Sequence, residues 1–169
     1  TNCYFAERVS TKMGGLAAQL AKRVAIYSPW QFVFWYDRPE KAPSRAGGAG
    51  STESVIKTDA LTAFYCSIPT VWDDTRFCEG DMDSYAVVAR RSGSDWYVSV
   101  LNAGDKRRVT VPVAEWLPQA VRYKAMWYHQ PGNKKDEVRA KALPCDGKSP
   151  IMLEVAANTG CLLHLTPIK

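Results

Sequence analysis

An aspartate closing an aromatic run is where residue types and spacing in this chain point most directly to chemistry. Residues 30–37 read WQFVFWYD, with Trp35 and Tyr36 immediately before Asp37. Sugars stack on such rings. A carboxylate just after a strand stands where barrels and open α/β sheets carry their active sites. Trp35 and Asp37 are therefore the candidate substrate-binding residues. A second reading stays open: the carboxylate closes the following turn, and the rings line a core.

Other reactive groups fall short of a site. Asp73 and Asp74 are adjacent in IPTVWDDTRF. Neighbours on a strand point to opposite faces, so they cannot address one substrate atom. A glycosidase needs its carboxylates facing each other at about 5 Å or about 6.5–9.5 Å. The expected role is structural: a turn bond, or an ion pair between Asp74 and Arg76, two residues on and on the same face. EGDMDS at 79–84 has three acids without the order of a calcium loop, and reads as a solvated turn. His129 and His164 have no second ligand at metal spacing, and no serine or cysteine sits in a nucleophile motif. Cys66 and Cys78 bracket the tryptophan segment, and Cys145 and Cys161 bracket an expected strand. Either couple could pair in an oxidising compartment, or all could be buried free thiols.

These groups need elements to hold them. Met13, Leu16, Leu20, Val24 and Tyr27 recur at helical spacing, predicting a helix over 11–28 capped by Ser10 or Thr11 and stopped by Pro29. The run 30–37 is apolar on both faces, as in a covered parallel strand. Such a strand needs neighbours on both edges, and one α/β unit cannot supply them. Residues 38–58 form a Pro/Gly/Ser-rich loop. A short helix, ALTAFYCS, follows Asp59 and ends before Pro69.

Beyond residue 70 the period changes to two. YAVVARR, WYVSVLN, RRVTVPV, VRYKAMWYHQ, EVRAKAL, PIMLEVA and CLLHLTPI alternate with polar turns. Seven or eight short strands with turns every 8–12 residues are the pattern of an antiparallel β-sandwich. The formal charge of +5 resides largely in short basic groups beside turns, not in a basic stripe with interleaved aromatics, so no nucleic-acid partner is expected. No apolar run approaches the roughly 18 residues of a spanning helix, and no membrane partner is expected. The start, TNCYFAERVS, lacks both a signal-peptide pattern and an initiator Met. Thr1 reads as the opening of a segment of a longer product.

The segments SPWQFVFWYD, SIPTVWDDTR and SYAVVARRSGSDWYVSVLN together resemble the C-terminal part of glycoside hydrolase family 97. The family pattern runs from a strand ending "SPLQ…D" through "VPxxWDET" to "GEYxVxARRxGDxWYxGxxN". Matches include Pro29, Gln31 and Asp37, then Trp72 and Asp73, then Arg90, Arg91, Trp96 and Tyr97. Asp74 stands where the family has Glu, and the AGGAG loop departs from the family's continuation after the strand.

The resemblance implies a mainly β chain: an antiparallel β-sandwich preceded by helices and one strand from the end of a (β/α)8 barrel. Residues 1–67 would close the catalytic barrel, and residues 68–169 would form the C-terminal sandwich that packs on it and makes oligomer contacts. Members are bacterial α-glucosidases and α-galactosidases whose catalytic groups lie upstream. Only Glu7 precedes the last barrel strand here, in no family motif, so no catalytic residue is assigned. Calcium is expected for many members, with no ligand identified in this chain. The implied partners are the rest of the enzyme, an oligo- or disaccharide substrate and a homo-oligomer, in the periplasm or outside the cell. Two alternatives remain. A carbohydrate-binding sandwich would expose coplanar rings from among Trp96, Tyr97, Trp127 and Tyr128. A stand-alone dimerisation module would show a large apolar patch.

Overall fold

The computed structural model describes residues 2–4, 12–34 and 60–168. Strand β1 (Asn2–Tyr4), helix α1 (Gly15–Ala25) and strand β2 (Phe32–Phe34) form a βαβ unit whose two strands pair in parallel. Helix α2 (Ala60–Ser67) follows. Strands β3 (Asp74–Asp81), β4 (Tyr85–Ser92), β5 (Asp95–Asn102), β6 (Arg107–Val111), β7 (Tyr123–His129), β8 (Arg139–Leu143), β9 (Ile151–Val155) and β10 (Thr159–Pro167) complete the chain. Six of them form an antiparallel sheet in the order β3-β4-β5-β10-β7-β8, and β6 pairs with β9 in a second sheet.

Two apolar layers hold this together. Val87, Ala89, Trp96, Val98, Leu163 and Leu165 of the large sheet pack against Val109, Val111, Ile151 and Leu153 of the small one. In β9 the sequence IMLEV alternates buried and exposed, as a one-sided strand should. The other face of the large sheet is covered too. Tyr97 and Leu162 meet Leu20 and Val24 of α1 and Tyr65 of α2, with Ile68 just beyond it. That second cover explains why β5 and the first part of β10 are buried on both faces.

The helix expected over 11–28 is shorter. It begins at Gly15, behind Gly14 with φ 89°, a left-handed conformation that glycine adopts at little cost. No side chain caps it there, and Ser10 and Thr11 lie outside the described residues. The C-cap is Ile26, ahead of Pro29. Strand β3 is not among the strands that the alternation predicts, and its end falls in the 79–84 segment expected as a turn; its exposed residues and the irregularity between Phe77 and Glu79 give no alternation to detect. Cys66, Cys78, Cys145 and Cys161 are free thiols, so neither suggested couple is joined. No described helix is long and apolar enough to cross a membrane.

Candidate functional site

Helix α1 is buried around most of its circumference. Gly15, Ala17, Ala18, Gln19, Leu20, Ala21, Arg23 and Val24 are all covered. A helix covered all round lies between two layers. One layer here is the outer face of the large sheet, and β1 also packs on α1. The site is therefore a junction, and its polar residues are used to lock it.

Arg23 is the first lock. One guanidinium nitrogen donates to the Ile68 carbonyl at 2.7 Å and another to Gln31 Oε1 at 3.0 Å. Gln31 Nε2 donates back to the Arg23 carbonyl at 3.0 Å. The guanidinium carbon lies 4.5 Å from the Tyr65 ring centre. One side chain thus joins α1, the end of α2 and the lead into β2. Arg90 is the second lock. It donates to Thr75 Oγ1 at 3.0 Å and to the Ala25 carbonyl at 3.2 Å, where a cation complements the helix C-terminus. Burial lowers its pKa. Ser99 Oγ donates to the Ala21 carbonyl at 2.8 Å.

An aromatic row fills the space beneath α2. Trp72 meets Tyr97 edge-on at 5.5 Å, Tyr97 stacks on His164 at 4.4 Å, and Phe64 stacks on Tyr128 at 4.2 Å. His164 Nε2 bonds Asp95 Oδ2 at 2.9 Å. Burial lowers the His164 pKa and the Asp95 bond opposes that. Burial pushes the Tyr97 hydroxyl up to about 12. Asp95 lies far from His164 in sequence, and the fold alone brings this carboxylate to the imidazole.

The paired acids point apart. Asp73 Oδ2 accepts from the Gly93 amide at 2.7 Å and lies 3.7 Å from Arg91. Asp74 pairs with Arg76 at 2.9 Å, as its spacing suggested. In EGDMDS, Glu79 accepts from Tyr85 and from the Thr110 amide, and Asp81 from Ser84, so this segment is a strand end and turn. Among the described residues no group of three His, Cys, Asp or Glu side chains can hold a metal ion. These residues do not fit calcium. Several of the basic side chains are matched: Lys106 and Arg108 share Glu154, and Lys134 and Arg139 share Glu137.

Trp35 and Asp37, the sequence-derived substrate residues, lie outside the described residues, directly beyond β2. None of the four rings offered as a sugar platform stands free. Trp96 and Tyr97 are buried, Tyr128 lies against Phe64, and Trp127 stacks on His129 at 3.8 Å. Sequence reasoning missed Arg23, Arg90 and Ser99. Their signal was a polar residue inside an otherwise buried run: AAQLAKRVA, YAVVARR and WYVSVL.

The fold recurs in enzymes. A glycoside hydrolase family 97 enzyme from Pseudoalteromonas sp. strain K8 superposes with a TM-score of 0.67 at 19% identity, covering 93% of this chain and 23% of that one. A beta-arabinopyranosidase superposes at 0.62 with 24% identity, covering 89% and 21%. A retaining alpha-galactosidase of Bacteroides thetaiotaomicron is 44% identical over 50 residues, which are 30% of this chain and 8% of that protein. The matches span less than a quarter of each of these relatives. The family described as glycosyl-hydrolase 97 C-terminal, oligomerisation, matches residues 71–166, more than half of the sequence and nearly all of the sandwich. With the two-sheet core and its helical cover in place, the chain belongs to glycoside hydrolase family 97, its residues 71–166 matching that family's C-terminal domain.

Proposed function

We propose that this chain is the C-terminal part of a glycoside hydrolase that cleaves α-glycosidic bonds, clamping the end of a catalytic barrel to a sandwich and supplying no catalytic group itself. The carrying observation is the β1–α1–β2 unit. Its parallel strands are three residues each, and parallel strands are stable only inside larger covered sheets. A barrel supplies such a sheet. On this reading α1 is a barrel helix whose far side the sandwich covers, and Arg23, Arg90 and Ser99 hold the two parts in register.

Trp35 and Asp37 then follow β2 at its C-terminal end, where barrels bind substrate, and contribute contacts to the sugar. The α-linkage is supported by the short alpha-galactosidase match. Export to the periplasm or beyond is carried over from the family resemblance. Calcium, where the whole enzyme uses it, is held upstream.

The test is a native mass spectrum combined with nitrophenyl glycoside assays. The expected result is a larger species containing these residues that hydrolyses an α-galactoside or α-glucoside, while this chain by itself turns over neither. A lone chain with no larger partner, or a larger species active only on β-glycosides, would overturn the reading.

A further inference from the structure

The large sheet ends on two edges, and neither is built to pair with another chain. β8 is mostly exposed and carries Arg139 and Lys141, and β3 is broken by the irregularity between Phe77 and Glu79. Charged edges and bulges both oppose strand addition. Assembly through this domain therefore needs a side-chain surface.

One surface has the required form. A groove of about 670 Å³ opens between the start of α1 and the β3–β4 hairpin, lined by Met13, Ala18, Phe77 and Leu101 among others. Met82, at the hairpin tip, borders the same groove and is completely exposed; Phe77 is 69% exposed. In a two-fold contact the same patch serves both copies, so it must carry both the knob and the hole. Met82 and the groove meet that condition. The charges match in the same sense. Asp81 and Asp83 flank Met82 on the hairpin, and Lys12 adjoins Met13 on the helix side. Lys12 and Asp83 make no ion pair among the described residues. The groove also shares Gly14 and Ala18 with the α1–sheet junction, so its floor is fixed by a packed interface.

We propose that this groove is the contact between two copies of the chain, each seating Met82 in the other's groove with Asp83 against Lys12. The proposal rests on reading this domain as an assembly module.

Sedimentation velocity of the full chain over a concentration series tests it, using the wild type, Met82→Glu, Lys12→Asp, Asp83→Lys and the double reversal. These are exposed positions, and thermal unfolding should not move. The expected result is a wild-type dimer that dissociates on dilution. Met82→Glu should weaken it by about tenfold or more, as loss of a central anchor does. Each single reversal should weaken it, and the double reversal should restore it. A wild type monomeric throughout, or a dimer indifferent to these changes, would overturn the proposal. So would reversals that release a larger partner while leaving the dimer intact, since the groove would then hold the upstream part of the enzyme. Hydrolysis is not read here. A groove-dependent dimer of a larger species that hydrolyses neither an α-galactoside nor an α-glucoside would sink the enzymatic reading alone, since this chain by itself is expected to turn over neither.

Discussion

The hydroxyl of Ser99 on β5 donates to the main-chain carbonyl of Ala21 in α1 at 2.8 Å, across 78 positions of sequence, with both residues fully buried. This bond sets where α1 lies along the sheet. A mid-helix carbonyl keeps its intrahelical partner when a second donor is lost. Ser99→Ala should therefore cost about 1 kcal/mol, the net worth of one hydrogen bond. The check is the urea midpoint, which should fall with an unchanged slope.

Close approach sets a stricter limit one strand over. A methyl group at Gly160 would lie 2.6 Å from the Val100 carbonyl oxygen and 3.0 Å from the Ala21 side chain. The first of these neighbours is backbone and cannot rotate away. Gly160→Ala should destabilise by about 1–3 kcal/mol through overpacking. At about 2–4 °C per kcal/mol for a chain of this size, calorimetry would show the loss clearly. An unmoved melting temperature would mean that α1 lifts from the sheet at little cost.

Much of the fold was legible because burial has a period. Strands β4 to β10 alternate or sit between clear turn signals, and α2 is bracketed by Asp59 and Pro69. The apolar run after Pro29 announced a parallel strand, and β2 pairs with β1 in that sense. What escaped was set by tertiary contact. β3 is an edge, and DTRFCEGD faces solvent too widely to leave a pattern. The start of α1 depends on Gly14 fitting against Asn158 and Thr159, 144 and 145 positions on. Arg23 and Arg90 look like ordinary surface cations until the carbonyls they serve are in place. The divergence of Asp73 and Asp74 was legible from their adjacency, and the structure gives each its own partner, the Gly93 amide for Asp73 and Arg76 for Asp74.

Both histidines should make stability sensitive to mild acid. Burial lowers the pKa of His164 and of His129 below the ordinary value near 6.5. The unfolded chain then binds protons more readily than the folded one. Their contribution is complete above about pH 6.5 and is lost as pH falls from there through the folded-state values. Denaturation midpoints should decline on acidification below about pH 6.5, before carboxylates titrate. His164→Gln should flatten that decline while sacrificing the Asp95 bond. A flat profile in the wild type would show that neither ring resists protonation.

Trp72 anchors the link from α2 to β3 by packing alone. Its ring lies edge-on to Tyr97 at 5.5 Å, and its buried indole N–H has no hydrogen-bond partner among the described residues. Trp72→Ala should cost about 3 kcal/mol, the low end for truncating a large aromatic, because the residue is only partly buried. Trp72→Phe keeps most of the contact and gives up no polar bond, so it should cost less than about 1.5 kcal/mol. Equal losses for the two substitutions, read from denaturation midpoints, would show that the indole nitrogen has a partner in solution. The packing account predicts a wide gap, since the Tyr97 face still finds an aromatic edge in phenylalanine and finds none in alanine.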